Sequence, residues 1–593
     1  MLEALYKYAI DHELTARPGF KHKNVKCYIS FTMFGDFLGF EIVEDGAPQP
    51  LCPDIGTLAN GKTKSNIIVE KAEVIFNLPE KKKDGTMEYK REQKQQFYIN
   101  SLYEAGEYDR RFKIAAQGLE NNMESIISDF RQLPKVKDSD FISLKVDGVP
   151  LESSTNYLDW WEDFRKKLDS NNKATTASRC YITGVLTEPV KTVPAVQGLM
   201  SVGGHTKGDS FICFDKDCYQ SYGFKQAANA AVSEEAITAV NSALAELMKK
   251  APSPLAGAKN IHWFSEETQN DITEIPDFDF IEDDLKDSEN ENLAEDEHRV
   301  QKMFRSLIEN TLPPMPKNRY YMMSLSGVNG RVMIRSYDEG TYDELCKNLR
   351  IWYDDLSIYE PKYGHRYPKL FGIYSRFLKY STDYKKLKDN IAKELSGIAP
   401  KIVYSIYHGT PLPDTVAVKA LAYIRSDMYS KTEDSASKSL IPDKTACQIL
   451  KAWLNRKYRV QEKKEEYLIM DRLDKNNQSK AYLTGRLMAV YALIQNAALG
   501  DVGAGVVERY YTSACSSPAL VMGKLATMSQ YHLSKLKGDN PGAYIKYNKM
   551  LEEISLKIGT SMPKTFDLQK QSEFALGYYF QRTQAFESKK TEG

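Results

Sequence analysis

Apolar positions along this chain follow two periods, and the period changes with position. Leu2, Leu5, Tyr6 and Ile10 fall at helical spacing, which predicts a short amphipathic helix at the start. Two β-rich runs follow, VKCYISFTM from Val25 and FLGFEIV from Phe37, with Gly35-Asp36 between them, and predict a hairpin. NIIVEKAEVIF reads as a strand or buried edge, and the stretch from about Gln95 to Asp129 as helix. A strand begins near Phe141. After it come an aromatic helix (Tyr157, Trp160, Trp161, Phe164), the run CYITGVLTEPV and the glycine-rich SVGGHTKGDSFICFD, whose FICF reads as a strand. Farther along, two β-rich runs flank Gly327-Val328-Asn329-Gly330, a second hairpin. Period-two alternation there puts Arg331, Met333 and Arg335 on one face.

From about Lys475 the period is helical. Leu483, Leu487, Val490 and Ile494 form one stripe; Val521, Leu525, Met528, His532 and Leu536 a second; Tyr547, Leu551, Ile554 and Ile558 a third. A fourth run covers Phe574 to Phe586, and Pro518, Pro541 and Pro563 sit near the breaks. The class this predicts is α+β: a mixed N-terminal α/β region with small sheets, then a mainly helical part ending in a four-helix bundle. The expected divisions are an N-terminal α/β domain over 1–140, a second α+β region over 141–263, an acidic linker or insertion over 264–300, a hairpin plus helical region over 301–470, and the bundle over 471–593.

Charge changes this picture only locally. The 80 basic and 80 acidic side chains cancel, yet fifteen carboxylates and one basic residue, Lys286, lie between Glu266 and Glu297. The rest of the chain is therefore basic, and a local basic surface is enough to attract phosphate. Eight cysteines in 593 residues do not make a disulfide framework, and Cys213 and Cys218 lack the spacing of a zinc site, so the thiols are expected to be reduced. The first residues include acids and do not resemble a signal peptide. No stretch approaches the roughly 20 apolar residues that span a bilayer, so the expected location is cytoplasmic.

Catalytic signatures are missing. HExxH, GxSxG and the phosphate loop are absent, and DVGAGVV near Asp501 lacks the preceding strand and third glycine of a nucleotide fingerprint. The histidines are scattered, and His532, on an apolar stripe, reads as a core residue. No catalytic residue, metal or cofactor is expected. Two loops suit phosphate or base contact: GKTKSN, with Lys62, Thr63, Lys64 and Asn66, and GGHTKGD, with Gly203, Gly204 and Lys207. The alternatives are a solvated loop and a tight turn. On the bundle, Arg486, Lys524, Lys535 and Arg582 flank the apolar stripes, with Lys546, Lys549 and tyrosines Tyr510, Tyr511 and Tyr531 nearby. Cations with aromatics suit a single strand, and a solvated helix face has the same composition.

One segment is specific. GGHTKGDSFICFDKDCYQSYGFKQAANAAVSEEA, from Gly203 to Ala236, closely resembles the large subunit of the type I-C CRISPR surveillance complex (Cascade). Thr183-Gly184, SLSGVNGRVMIRSY, AYLTGRL, ERYYTSACSSPALV, SQYHLSKL and FALGYYFQR are similar to the same family in collinear order, and the N-terminal helix and GKTKSN more loosely. Ala231 stands where that family usually shows proline, and Phe580 where histidine is common.

The resemblance implies an antiviral-defence assembly protein, not an enzyme, working beside a guide RNA and its backbone and RNA-processing subunits. Such a subunit binds double-stranded target DNA at the protospacer-adjacent motif (PAM) and supports strand separation into an R-loop. It also holds the displaced strand and recruits a helicase-nuclease. On that footing Lys62, Thr63, Lys64 and Asn66 are candidates for the flanking motif, and Gly203, Gly204 and Lys207 are second-choice DNA contacts. Arg486, Lys524, Lys535 and Arg582 are candidates for the displaced strand. The family also implies a small subunit made from within the same gene, and Met470 is the nearest start upstream of the first bundle helix. The alternatives are a metal-dependent nuclease or guide-processing enzyme, and a purely structural ribonucleoprotein scaffold.

Overall fold

The computed structural model describes the chain except residues 15–18, 45–46, 82–85, 170–176, 221–223, 252–253, 267–316, 362, 380, 382, 431–439, 462–466, 501–504 and 592–593. The acidic run from 267 onward, part of the YQSYG phrase and DVGA thus lie outside the described residues. Two compact units divide the chain: Met1–Gln197 with Lys207–Glu246, and Gly198–Thr206 with Leu247–Gly593.

The first unit is built on one sheet. Val25–Phe31 pairs antiparallel with Phe37–Ile42 and parallel with Phe141–Val146, so Ile29 lies opposite both Phe40 and Leu144. Glu70–Lys71 closes the far side of Phe141–Val146. A parallel pair needs a crossover, and the helices Glu92–Ala105 and Arg110–Phe130 lie within it. The second of these starts on Asp109, which accepts from the Arg111 amide at 3.1 Å, an ordinary N-cap. Cys27, Ile29 and Phe31 are fully buried, as are Tyr98, Phe112, Tyr157 and Trp161 around them. The Arg110–Phe130 helix comes so close to the sheet that a Cβ on Gly118 would sit 2.6 Å from the Phe31 ring. The strand at Phe141 is thus an inner strand of this sheet, which runs across the expected boundary at 140. FICF is not a strand; the neighbouring extended contact is the bridge between Val196 and Asp209.

In the second unit, Lys259–Phe264, Arg319–Val328 and Arg331–Thr341 form an antiparallel sheet with Arg319–Val328 in the middle. Asn329 (φ +51°) and Gly330 (φ +75°) turn the hairpin, as the right-handed twist of the flanking strands requires. One apolar core then extends from Tyr320 and Trp352 through Tyr407 and Trp453 to Tyr482 and Phe574.

The bundle belongs to that core. Its centre is Lys480–Leu499, where every residue from Ala481 to Ile494 is buried. Around it lie Val506–Ser516, Pro518–Asp539, Pro541–Ile558 and Leu568–Thr591. Among the described residues five helices stand where four were expected; the extra one is the short Val506–Ser516. Pro518 and Pro541 each begin a helix, where the missing N–H costs nothing. Lys480–Leu499 and Leu568–Thr591 cross backbone to backbone. A Cβ on Gly485 would lie 2.0 Å from the Phe574 carbonyl oxygen, and one on Gly577 would lie 2.1 Å from that of Tyr482. The outer side of the last helix is covered by Asp414–Ser430 and Lys444–Val460. Polar bonds tie them: Tyr578 donates to the Leu440 carbonyl at 2.9 Å, Arg425 to Gln571 at 2.9 Å, and Tyr458 to Glu573.

Candidate nucleic-acid interface

The loop GKTKSN divides into an anchored half and an exposed half. Asn66 is 6% exposed and fully engaged. Its side-chain oxygen accepts from the Ile55 amide at 3.1 Å, while its own amide and side-chain nitrogen donate to Glu70 at 2.8 and 3.0 Å. It has no edge left for a base, which corrects its assignment as a DNA contact. Ser65 donates to the Lys94 carbonyl at 3.1 Å, and Lys94 in turn donates to that of Ala59 at 2.7 Å. Just beyond, Ile68 adopts φ +63°, a strained position for a β-branched residue, with its carbonyl accepting from Tyr98 at 2.7 Å. The base of the loop is therefore fixed, and it presents Lys62 and Thr63 to solvent. Lys64 is half-buried, its ammonium 3.4 Å from the Leu168 carbonyl.

The glycines of GGHTKGD serve packing. Gly203 has φ +86°, and a Cβ there would meet the Gly327 carbonyl oxygen at 2.7 Å. A Cβ on Gly327 would lie 2.1 Å from Gly204, so the pair lets the second hairpin's backbone pass. The close approach gives both glycines a packing role, and Gly203 remains exposed. Lys207 is exposed, and its carbonyl accepts from Gln197 at 2.9 Å.

The four bundle cations separate two and two. Arg486 is 2% exposed; its Nε donates to Gln581 at 3.0 Å and its guanidinium pairs with Glu553 at 3.2 Å. Arg582 is 5% exposed. Both lie inside the bundle, which corrects their assignment to the displaced strand. The physical reason is the two helices they sit on, Lys480–Leu499 and Leu568–Thr591: an apolar run on all faces leaves a charged residue no route to water. Tyr511 is likewise buried, and burial pushes its phenol far up.

Lys524 and Lys535 are exposed on Pro518–Asp539, and Tyr531 between them is 73% exposed. Positions 531 and 535 each fall within about 20° of position 524 around the helix axis, about 40° from each other, and the three span about 16 Å. The Lys524 ammonium lies 5.3 Å from the Tyr510 ring centre, so a cation, a supporting aromatic and an open aromatic share one face. Leu520, 81% exposed, continues that face by one turn. His532 is half-buried; its Nε2 has no hydrogen-bond partner among the described residues, and burial, then Lys535, lower its pKa.

Met470 is exposed, in the connection before the first bundle helix. Its neighbours are clamped. The Ile469 amide donates to Asn455 at 2.7 Å, and Asp471 contacts His365 Nε2 at 2.9 Å. His365, then Arg472, hold the Asp471 carboxyl well below the usual carboxylate range against the effect of burial.

Among the described residues no group of three or more His, Cys, Asp or Glu side chains is placed to hold a metal ion, and no helix is long and apolar enough to cross a membrane. All eight cysteines are free thiols.

A mixed sheet unit and a helical unit ending in a bundle define a mixed α+β protein by class. The family follows from comparison: the model described as CRISPR-associated protein (Cas_Csd1) matches residues 2–586, and the chain belongs to that family, the large subunits of type I-C complexes. No curated protein matches the chain. Ala231 adopts φ +24°, which the proline ring, fixed near −65°, cannot reach.

Proposed function

We propose that this chain is a non-catalytic, DNA-binding subunit of the guide-RNA complex. Lys62, Thr63 and Lys64 contact the duplex beside the target, and the face carrying Lys524, Tyr531 and Lys535 holds the displaced strand. A small subunit starting at Met470, a helicase-nuclease that acts after strand separation, and a cytoplasmic setting complete the reading. Family membership supports a CRISPR complex subunit. The observation that carries the DNA assignment is the in-phase exposure of Lys524, Tyr531 and Lys535, since neutralising phosphates and stacking a base are what an unpaired strand offers.

The test is Lys524→Ala/Lys535→Ala in the assembled complex, with affinity for target DNA measured across a salt series. Two lost single-strand contacts lower the log–log salt slope by about 1.4, and Tyr531→Ala weakens binding without moving the slope. Unchanged slope and affinity in both variants reject the assignment.

A further inference from the structure

We infer that the turn at Ile68, fastened by the Tyr98 hydroxyl, is a positioning device: it holds the neck of the GKTKSN loop so that Lys62 and Thr63 meet the duplex in one fixed arrangement. The inference rests on the reading that this loop contacts the duplex, and it adds two residues that touch no DNA.

The Val69 amide donates to the Ile67 carbonyl, two residues back, at 2.7 Å. That bond closes a γ-turn centred on Ile68, whose φ of +63° puts it in the rarer, strained form. A β-branched side chain is disfavoured there most of all. Glycine takes such a φ without strain, so ease of turning does not account for isoleucine. Burial does. Ile67, Ile68 and Val69 are all 0% exposed, whereas a regular strand would turn the middle one to the opposite face. Packing therefore sustains the strain, and the turn is stiff where glycine would leave it free. Residues held in such conformations cluster at ligand clamps, and a loop ordered in advance loses less freedom on binding.

The turn is tied on every side. The Tyr98 hydroxyl donates to the Ile68 carbonyl at 2.7 Å, and the buried Lys23 ammonium to that of Val69 at 3.2 Å. Tyr98 is itself fully buried; burial, then the Glu70 carboxylate, push its phenol far up, so it stays a donor. Downstream, Glu70 is paired with Ile142 in the sheet. Upstream, Asn66 bridges the Ile55 amide and the Glu70 carboxylate and closes the loop at its neck. Lys94 lies one turn before Tyr98 on the helix Glu92–Ala105. Its ammonium meets the Ala59 carbonyl and its own carbonyl meets Ser65. One helix thus splints both limbs of the loop and the turn behind it.

The test uses the free full-length chain and the assembled complex. Tyr98→Phe removes the hydroxyl and keeps the ring; Ser65→Ala loosens the same neck without touching that ring. Hydrogen exchange of the free chain reads the loop, with the strand Val25–Phe31 as internal control. Target-DNA affinity is measured in the parent and in the Lys62→Ala/Lys64→Ala background. The expected result is faster exchange over 61–66 with the control strand unchanged, and affinity about tenfold lower in the parent, with no further loss once the lysines are gone. Should Tyr98→Phe disturb the control strand, Ser65→Ala decides. Unchanged exchange in both variants overturns the inference. So does an equal loss of affinity with and without the lysines, which is a loss of structure not routed through the loop. Failure of the duplex reading looks different: Lys62→Ala/Lys64→Ala then leaves the salt slope alone instead of lowering it by about 1.8, while the exchange arm still decides whether the turn holds the loop.

Discussion

Arg486 separates a buried structural cation from a DNA contact, and Arg486→Met exploits this. The side chain is 2% exposed and makes two charge-assisted contacts, to Gln581 at 3.0 Å and Glu553 at 3.2 Å. Losing a hydrogen bond to a charged group costs about 1.5–3 kcal/mol. Two terms reduce the total. Methionine fills the space of the arginine stem and removes the cost of keeping a guanidinium out of water. Glu553, 39% exposed, regains water when its partner goes. The net loss is about 1–3 kcal/mol. Arg486→Ala adds an unfilled cavity between Lys480–Leu499 and the helices that carry Glu553 and Gln581, and should cost about 2 kcal/mol more than methionine. The assays are urea unfolding of the full chain and the salt dependence of DNA binding by the assembled complex. The expected outcome is a lower unfolding midpoint, lower again for alanine, with the salt slope unchanged. An unchanged midpoint with a slope reduced by about 0.7, one single-strand phosphate contact, would refute the placement of Arg486 in the bundle interior.

Three further outcomes follow from the same geometry. Gly577→Ala gains about 1 kcal/mol of helix propensity. It also forces a methyl group to within 2.1 Å of the Tyr482 carbonyl oxygen, so a net loss of about 2 kcal/mol is expected by urea unfolding; net stabilisation would contradict the backbone-to-backbone crossing. Asp471 is held ionised by His365 below the ordinary value of about 3.9. Its contribution is therefore complete above that value and is lost as pH falls towards its lower folded pKa; Asp471→Asn should flatten the fall in stability in this acid window, checked by unfolding at stepped pH. Expression of the gene with Met470→Leu should abolish a short product containing the bundle, and persistence of that product on an immunoblot would move the internal start elsewhere.

Local signals in the sequence identified the elements that are locally determined. Asn329-Gly330 and Gly35-Asp36 mark real turns, and Pro518 and Pro541 mark real helix starts. What failed depended on distant contacts. NIIVEKAEVIF, expected as a strand or buried edge, is buried and pairs at the sheet edge only through Glu70–Lys71, while Ile67, Ile68 and Val69 lie in an irregular turn and Ala72–Ile75 is helical. The turn is held by Tyr98 and Ile55, each at least eleven residues away in sequence. Arg486 and Arg582 flank apolar stripes only when each helix is resolved into a single stripe. The continuous run AYLTGRLMAVYALI, and FALGYYF likewise, already signalled helices enclosed on every side, and that signal would have placed both arginines inside. The bundle also shares its core with Lys444–Val460, so a product beginning at Met470 leaves behind the partners of Tyr578, Glu573 and Gln571. Asn66 looked available because its loop is rich in turn formers; only the fold brings Glu70 and Ile55 to it.

The most direct test is photo-crosslinking of target DNA in the complete guide-RNA complex, followed by mapping of the crosslinked peptides. Adducts within 61–64 from the flanking duplex, and within 524–535 from the unpaired strand, are the expected result. DNA that crosslinks only to other subunits, leaving this chain unlabelled, would contradict the account.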